Sequence, residues 1–221
     1  MSSTELIALD WGTTSLRAAR LSPDGAVLEE RHAPEGILQV PAGGFPAAFF
    51  RLLKGWHLRR GTLCLASGMV GSRQGWIEAP YCPCPAGASE LADRIAWVPD
   101  APSGVRLGIV PGLSTLHSGV HDVMRGEEVQ VFGALELLAR DQGTFVLPGT
   151  HSKWVRVREG RITGFSTFMT GEVYALLRRH SILARTMPED DGPLDEPAFL
   201  RGVLHARQAG SLVHAPFAAR T

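Results

Sequence analysis

Apolar residues open the chain in short runs, Leu6 to Leu9, Ser15 to Leu21 and Ala26 to His32, separated by glycine-bearing turns. Runs of this length predict three consecutive strands, with "SPDG" turning the second into the third, and connections this tight demand antiparallel pairing. Phe45 to Leu58 carries the 3.6-residue spacing of a helix, and Gly61 to Ala66 and Arg106 to Val110 read as further strands. Gly, Pro and Cys cluster from Gly68 to Ala88, which predicts a long irregular excursion of the kind that carries function.

From about Asp122 the pattern restarts. "EEVQVFGALELLARDQ" predicts a helix with an apolar face through Val129, Phe132, Leu135 and Leu138. "GTFVLPGTHSKWVRVREGRITGFSTF" then predicts strand, turn, strand, a tight "REGR" turn and strand. This repeats the order at the start of the chain, so two related halves are expected, the second beginning between residues 112 and 125. "FMTGEVYALLRRHSIL" follows as a helix with Thr170 as N-cap and Glu172 in the first turn, and "PEDDGPLDEP" as a solvated acidic loop.

Composition narrows the classes of function. With 221 residues, 44% of them hydrophobic, the chain can bury a substantial core. Its 22 basic and 22 acidic residues cancel, leaving no global field to draw nucleic acid or an anionic membrane, and neither is expected as a partner. The first ten residues lack a basic segment ahead of an apolar core. No apolar run approaches the roughly 20 residues of a spanning helix, so a soluble, cytoplasmic chain is expected. Three cysteines, Cys64, Cys82 and Cys84, suit a reducing compartment, and "CPC" lacks the C-x2-C spacing of a zinc site. His117 and His121 lie four apart, but Ser118 and Gly119 between them favour a loop over a helical metal pair. No P-loop, Rossmann fingerprint or G-x-S-x-G elbow is present, and adjacent His151 and Ser152 do not make a hydrolase triad.

What remains is an acid at a strand end. Asp10, followed by "WGTTS", sets one carboxylate beside backbone N–H groups and hydroxyls in a glycine-permitted turn, a combination suited to Mg2+ and phosphate together. "LPGTHSKW" repeats the motif in the second half, with Lys153 in place of the acid. Two such turns facing one another would have Asp10 handle a hydrated Mg2+ while Gly149, Thr150 and Ser152 bind phosphate oxygens. Phosphoryl transfer asks for little more than this positioning and charge neutralisation. For a base, "DVMRGEE" offers Asp122, Glu127 and Glu128 at the start of a helix. Glu127 and Glu128 are adjacent and diverge, so at most one points into a cleft.

"LDWGTTSLRAARL", "ASGMVGSRQGWIEAPYCPCPA", "IVPGL", "DVMRGEEVQVFGAL", "LPGTHSKWV" and "FSTFMTGEVYALLRRHSIL", collinear from Ile7 to about Thr221, together resemble the 2-dehydro-3-deoxygalactonokinases. These are sugar-acid kinases of the acetate and sugar kinase, Hsp70 and actin superfamily. The resemblance implies an α/β fold of two ribonuclease H-like (actin-like ATPase) domains with mixed sheets. Residues 1–115 would carry the sugar-acid site and 116–221 the nucleotide. It implies ATP-dependent phosphorylation of the 6-hydroxyl of 2-dehydro-3-deoxy-D-galactonate, a step of galactonate catabolism, with Mg2+ at Asp10. Gly12, Thr13 and Thr14 match the first phosphate motif, and Gly149, Thr150, His151 and Ser152 the second. By analogy with related sugar kinases Glu127 is the expected base, with Glu128 as the alternative. Arg17, Arg73 and Arg125 lie in or beside matching motifs and are candidates for the substrate carboxylate, with Trp76 and Met69 as an apolar wall. The family continues for several tens of residues past the position matching Phe217 to Thr221, so the second domain is expected to be incomplete. The alternative function is a non-catalytic sugar-acid-binding remnant.

Overall fold

The computed structural model describes residues 6–190 and 192–220; the first five residues, Asp191 of the acidic loop and Thr221 lie outside them. Contacts divide the chain into two compact units, residues 1–147 with 153–167 and residues 148–152 with 168–221.

In the first unit, β1 (Leu6–Trp11), β2 (Leu16–Leu21) and β3 (Val27–Ala33) form the expected antiparallel meander. Alternation along β1 buries Ile7, Leu9 and Trp11 on one face and leaves Asp10 on the other. α1 (Phe45–Leu52) buries Phe45, Ala48, Phe49 and Leu52 against that apolar face, an i, i+3, i+4, i+7 stripe. It is shorter than its apolar spacing predicts, because the chain turns through Leu53 to Gly55, whose φ of 87° is left-handed. β4 (Leu63–Ser67) returns parallel to β1, with Asp10 opposite Ser67.

The glycine-rich excursion is largely irregular, as expected, but contains β5 (Tyr81–Pro83) and is followed by α2 (Ala88–Ala92). β6 (Ala96–Trp97) and β7 (Arg106–Ile109) complete a six-stranded sheet in the order β3-β2-β1-β4-β7-β6. β8 (Gly112–His117) and β9 (Val120–Met124) make a hairpin that pairs with β5 in a second sheet. His117 and His121 lie on its two arms around the Ser118–Gly119 turn, and the described residues contain no group of three potential metal ligands.

α3 (Glu127–Leu137) follows, then the second meander, β10 (Gly143–Leu147), β11 (Ser152–Arg158) and β12 (Arg161–Phe168). α3 does not bury the face its sequence suggests. Glu128, Val131 and Leu135 point into the core, while Val129 and Leu138 are exposed. Apolar residues surround this helix, so contacts rather than periodicity choose its phase. A second core joins Cys82, Leu113, Met124, Val131, Val155, Ile162 and Phe165.

The other unit holds the Pro148–Ser152 turn, α4 (Thr170–His180) and α5 (Glu196–Ala209). α4 and α5 have no buried residue, and Leu183 is the one buried hydrophobic of this unit among the described residues. Thr170 is the first residue of α4 rather than its cap, which is Met169.

Candidate active site

Asp10 stands on the open face of the first sheet because β1 alternates. Its side chain is half exposed, with Arg17 of the facing strand 3.9 Å away. Ala8, Asp10, Arg17, Ser67, Gly126 and Gln130 line one cavity of about 500 Å3 beside it. Its lining mixes small residues, among them Ala18 and Ala19, with ionic ones, among them Glu30 and Arg31.

Glycines bring α3 to this cavity. Gly68, directly after β4, has φ 95° and ψ −158°, and a Cβ there would lie 2.8 Å from the Trp11 carbonyl oxygen. A Cβ on Gly126, whose φ is 106°, would lie 3.1 Å from the Gly68 Cα. Three sequence motifs therefore meet backbone to backbone at Trp11, Gly68 and Gly126, a contact closed to any side chain.

The geometry at Gly126 separates the three acids of "DVMRGEE". Both Asp122 oxygens are engaged: Oδ1 accepts from Val123 N and the Thr167 hydroxyl, and Oδ2 from Thr167 N. Glu128 is fully buried, and both its oxygens accept from Gly126 N at 2.8 Å. Burial pushes its carboxyl up to about 7, and the Glu127 charge adds to the rise. Glu127 is half-buried, and its Oε2 accepts from Arg125 N at 3.1 Å. No hydrogen bond engages its other oxygen among the described residues.

The first phosphate-type turn is tied back by its carbonyls. Ile37 N donates to Gly12 O at 3.0 Å and Leu38 N to Thr13 O at 3.2 Å, while Gly12 N donates to Ser15 O. Thr13 and Thr14 are exposed at the tip, and neither their amides nor their hydroxyls have a hydrogen-bond partner among the described residues. In the second unit the other turn follows the same plan: Gly171 N donates to Gly149 O at 3.2 Å and Glu172 N to Thr150 O at 3.1 Å. His151 Nε2 lies 2.5 Å from Glu172 Oε2, and Ser152 is buried.

Lys153, which replaces the acid in the second motif, does not serve its turn. It is buried and donates to Val123 O and the Thr167 hydroxyl, both at 2.8 Å, joining β11 to β9 and β12. Of the four residues suggested for the sugar acid, Arg17 alone lines the Asp10 cavity. Arg73 is exposed and paired with Glu78 at 3.1 Å. Trp76 packs edge-on to Trp11 and Phe49 and stacks on Phe45, with Met69 against the same core, on the opposite face of the sheet from Asp10. Arg125 is buried, donates to Ala79 O at 2.9 Å and stacks over Tyr81. Ser67, Gly68, Gly126 and Gln130 were not singled out from sequence; the glycines of "ASGMVG" and "MRGEE" are the available signal. The cysteines are free, and burial pushes Cys64 up to about 12 and Cys84 to about 11.

Comparison with known proteins identifies the family. A family profile described as 2-keto-3-deoxy-galactonokinase matches residues 10–221. A Rhizobium meliloti protein named as a 2-dehydro-3-deoxygalactonokinase is 38% identical over 226 residues, covering 96% of this chain and 73% of that protein. The Escherichia coli 2-dehydro-3-deoxygalactonokinase is 36% identical over 197 residues, 89% of this chain and 64% of its own length. A solved structure of a Sinorhizobium meliloti protein of the same designation superposes with a TM-score of 0.81 at 37% identity, covering 97% of this chain and 71% of that one. The chain therefore belongs to the 2-keto-3-deoxy-galactonokinase family.

Proposed function

We propose that this chain transfers the γ-phosphoryl group of ATP to the 6-hydroxyl of 2-dehydro-3-deoxy-D-galactonate, in galactonate catabolism in the cytoplasm. The observation that carries the reading is the meeting of Asp10 and the α3 N-terminus on one cavity, with Glu127 holding an unengaged carboxylate oxygen. Glu127 would take the proton of the attacking hydroxyl, and Arg17 would meet the substrate carboxylate. Gly12, Thr13 and Thr14, and Gly149, Thr150 and His151, would receive phosphate oxygens. Trp76, Arg73 and Arg125 would shape the sugar-acid site through the loop that carries or contacts them.

The residues present fit Mg2+. That ion takes one or two carboxylates and completes its octahedron with water and phosphate, and Asp10 is a half-exposed carboxylate of that kind. When bound it would neutralise phosphate charge. Two ribonuclease H-like domains, 1–115 and 116–221, are the architecture that this function implies, and the recurrence of one turn plan after the first strand of each meander supports it.

Calorimetric titration with Mg-ATP and with 2-dehydro-3-deoxy-D-galactonate, followed by a coupled ADP-release assay, tests the reading. Binding of both with release of ADP upholds it. Sugar-acid binding without nucleotide binding identifies a binding remnant instead, the reading that the absence of any fully buried residue in α4 and α5 favours.

A further inference from the structure

The two tied-back turns differ in one respect. In the first, the amide of the leading glycine, Gly12 N, is satisfied by backbone, the Ser15 carbonyl. In the second, Gly149 N donates to the Ser152 hydroxyl, so the turn depends on side chains to hold its shape. Ser152 Oγ in turn lies against Thr170 Oγ1, and Thr170 Oγ1 donates to Gly149 O at 3.3 Å. A single proton arrangement satisfies all three contacts. Gly149 N–H donates to Ser152 Oγ, the Ser152 O–H donates to Thr170 Oγ1, and the Thr170 O–H donates to Gly149 O. The ring closes on the two backbone groups of one glycine.

Two consequences follow for the residues of the turn. The only proton of the Ser152 hydroxyl is already donated, and the side chain is buried, so it does not present a donor to an incoming phosphate. The carbonyls of Gly149 and Thr150 are held by Gly171 N and Glu172 N, which keeps these acceptors turned away from an anion. A Cβ on Gly171 would lie 2.6 Å from Gly149 O, so α4 sits as close to the turn as backbone allows. The lock thus leaves the tip of the turn to donors alone.

We infer that Thr170 is a positioning residue, whose hydroxyl closes a ring with Ser152 and Gly149 and holds the Gly149–Ser152 turn in its anion-receiving shape. Its effect on nucleotide affinity rests on the function proposed above; the lock itself does not. Ser152 becomes part of the lock rather than a direct phosphate ligand.

The test compares Thr170→Val, which keeps shape and loses the hydroxyl, with Thr170→Ser, which keeps the hydroxyl. Thr170 is exposed, so neither change threatens the fold. Two readouts are taken on the full chain: amide hydrogen exchange of the 148–152 segment, and calorimetric titration with Mg-ATP and, separately, with the sugar acid. Loss of one hydrogen bond predicts exchange of the segment faster by roughly 3- to 10-fold in T170V, and an Mg-ATP Kd raised by a similar factor. Sugar-acid affinity should stay unchanged, and T170S should restore both values. Wild-type exchange in T170V overturns the inference. So does a T170S variant as impaired as T170V, which would assign the effect to the methyl group, or a lowered melting temperature with exchange of the segment unchanged. If the wild-type chain shows the lock by exchange but binds no Mg-ATP, the proposed function fails and the lock stands.

Discussion

Replacing Gly68 with alanine should unfold this protein far more readily than its size suggests. Gly68 holds φ 95° and ψ −158°, a region essentially reserved for glycine, and placing another residue there costs about 1–3 kcal/mol. The new Cβ would also lie 2.8 Å from Trp11 O and 3.2 Å from Trp11 C, which are backbone atoms of a central strand and cannot swing aside. Overpacking of this kind costs about 1–3 kcal/mol more, for a sum of about 4 kcal/mol. Gly25 is the control. Its φ is 85°, but nothing lies within 4 Å of its Cβ position, so Gly25→Ala bears only the left-handed cost of about 1–2 kcal/mol. At about 2–4 °C per kcal/mol for a chain of this length, G68A should melt about 8–16 °C below wild type and G25A about 2–8 °C below. Thermal scans followed by tryptophan fluorescence would read both, since Trp11 is buried in the adjoining core. Equal losses in the two variants would refute the claim that β1, Gly68 and α3 meet without room for a methyl group.

Other expectations concern the acids and Lys153. Glu128 has a folded-state value raised by burial from 4.5 to about 7, so the folded chain binds the extra proton between those values. Its contribution is present at low pH and lost as pH rises, on the order of 3 kcal/mol across the window, and Glu128→Gln should flatten that loss. Urea midpoints at pH 4.5 and pH 8 decide it, and a wild-type to variant difference independent of pH would remove Glu128 as the source. Lys153→Met should cost about 2–4 kcal/mol in the same assay by breaking two charge-assisted bonds, yet leave Mg-ATP affinity as it was; a large loss of nucleotide affinity at intact stability would give Lys153 a part in nucleotide binding instead. Glu127→Gln should lower kcat by roughly 10²- to 10⁴-fold with little change in the KM for ATP, and wild-type turnover would exclude it as the base. Arg17→Ala should mainly raise the KM for the sugar acid.

Much of this was legible in the amino-acid order because it is local. Both meanders announce themselves through short alternating runs and the turns "SPDG", "PGTHS" and "REGR", the first of which is satisfied by residues a few positions away, Ser22 N donating to Ala26 O and Gly25 N to Ser22 O. Asp10 could be placed at a strand end for the same reason, and the six motifs carried the family. The end of α1 was less plain, because the left-handed glycine that stops it competes with apolar residues that would continue it.

What only the tertiary structure decided depends on partners distant in sequence. Lys153 and Asp122 look like chemistry when read alone, but Thr167 and Val123 draw both into a half-buried network. Trp76 sits in a motif of the sugar-acid kinases, yet the aromatic faces of Trp11, Phe45 and Phe49 claim it for the core. α3 is apolar on every side, so its own periodicity could not choose between burying Val129 and burying Glu128. The close approach of Gly126 to Gly68 made that choice, and with it decided which of two adjacent glutamates is sealed in the core and which keeps a free oxygen. Turn chemistry and strand alternation act over a few residues and so are written in the sequence itself. The phase of a helix and the engagement of a charge are fixed by atoms tens of residues away, which only the folded chain brings into reach.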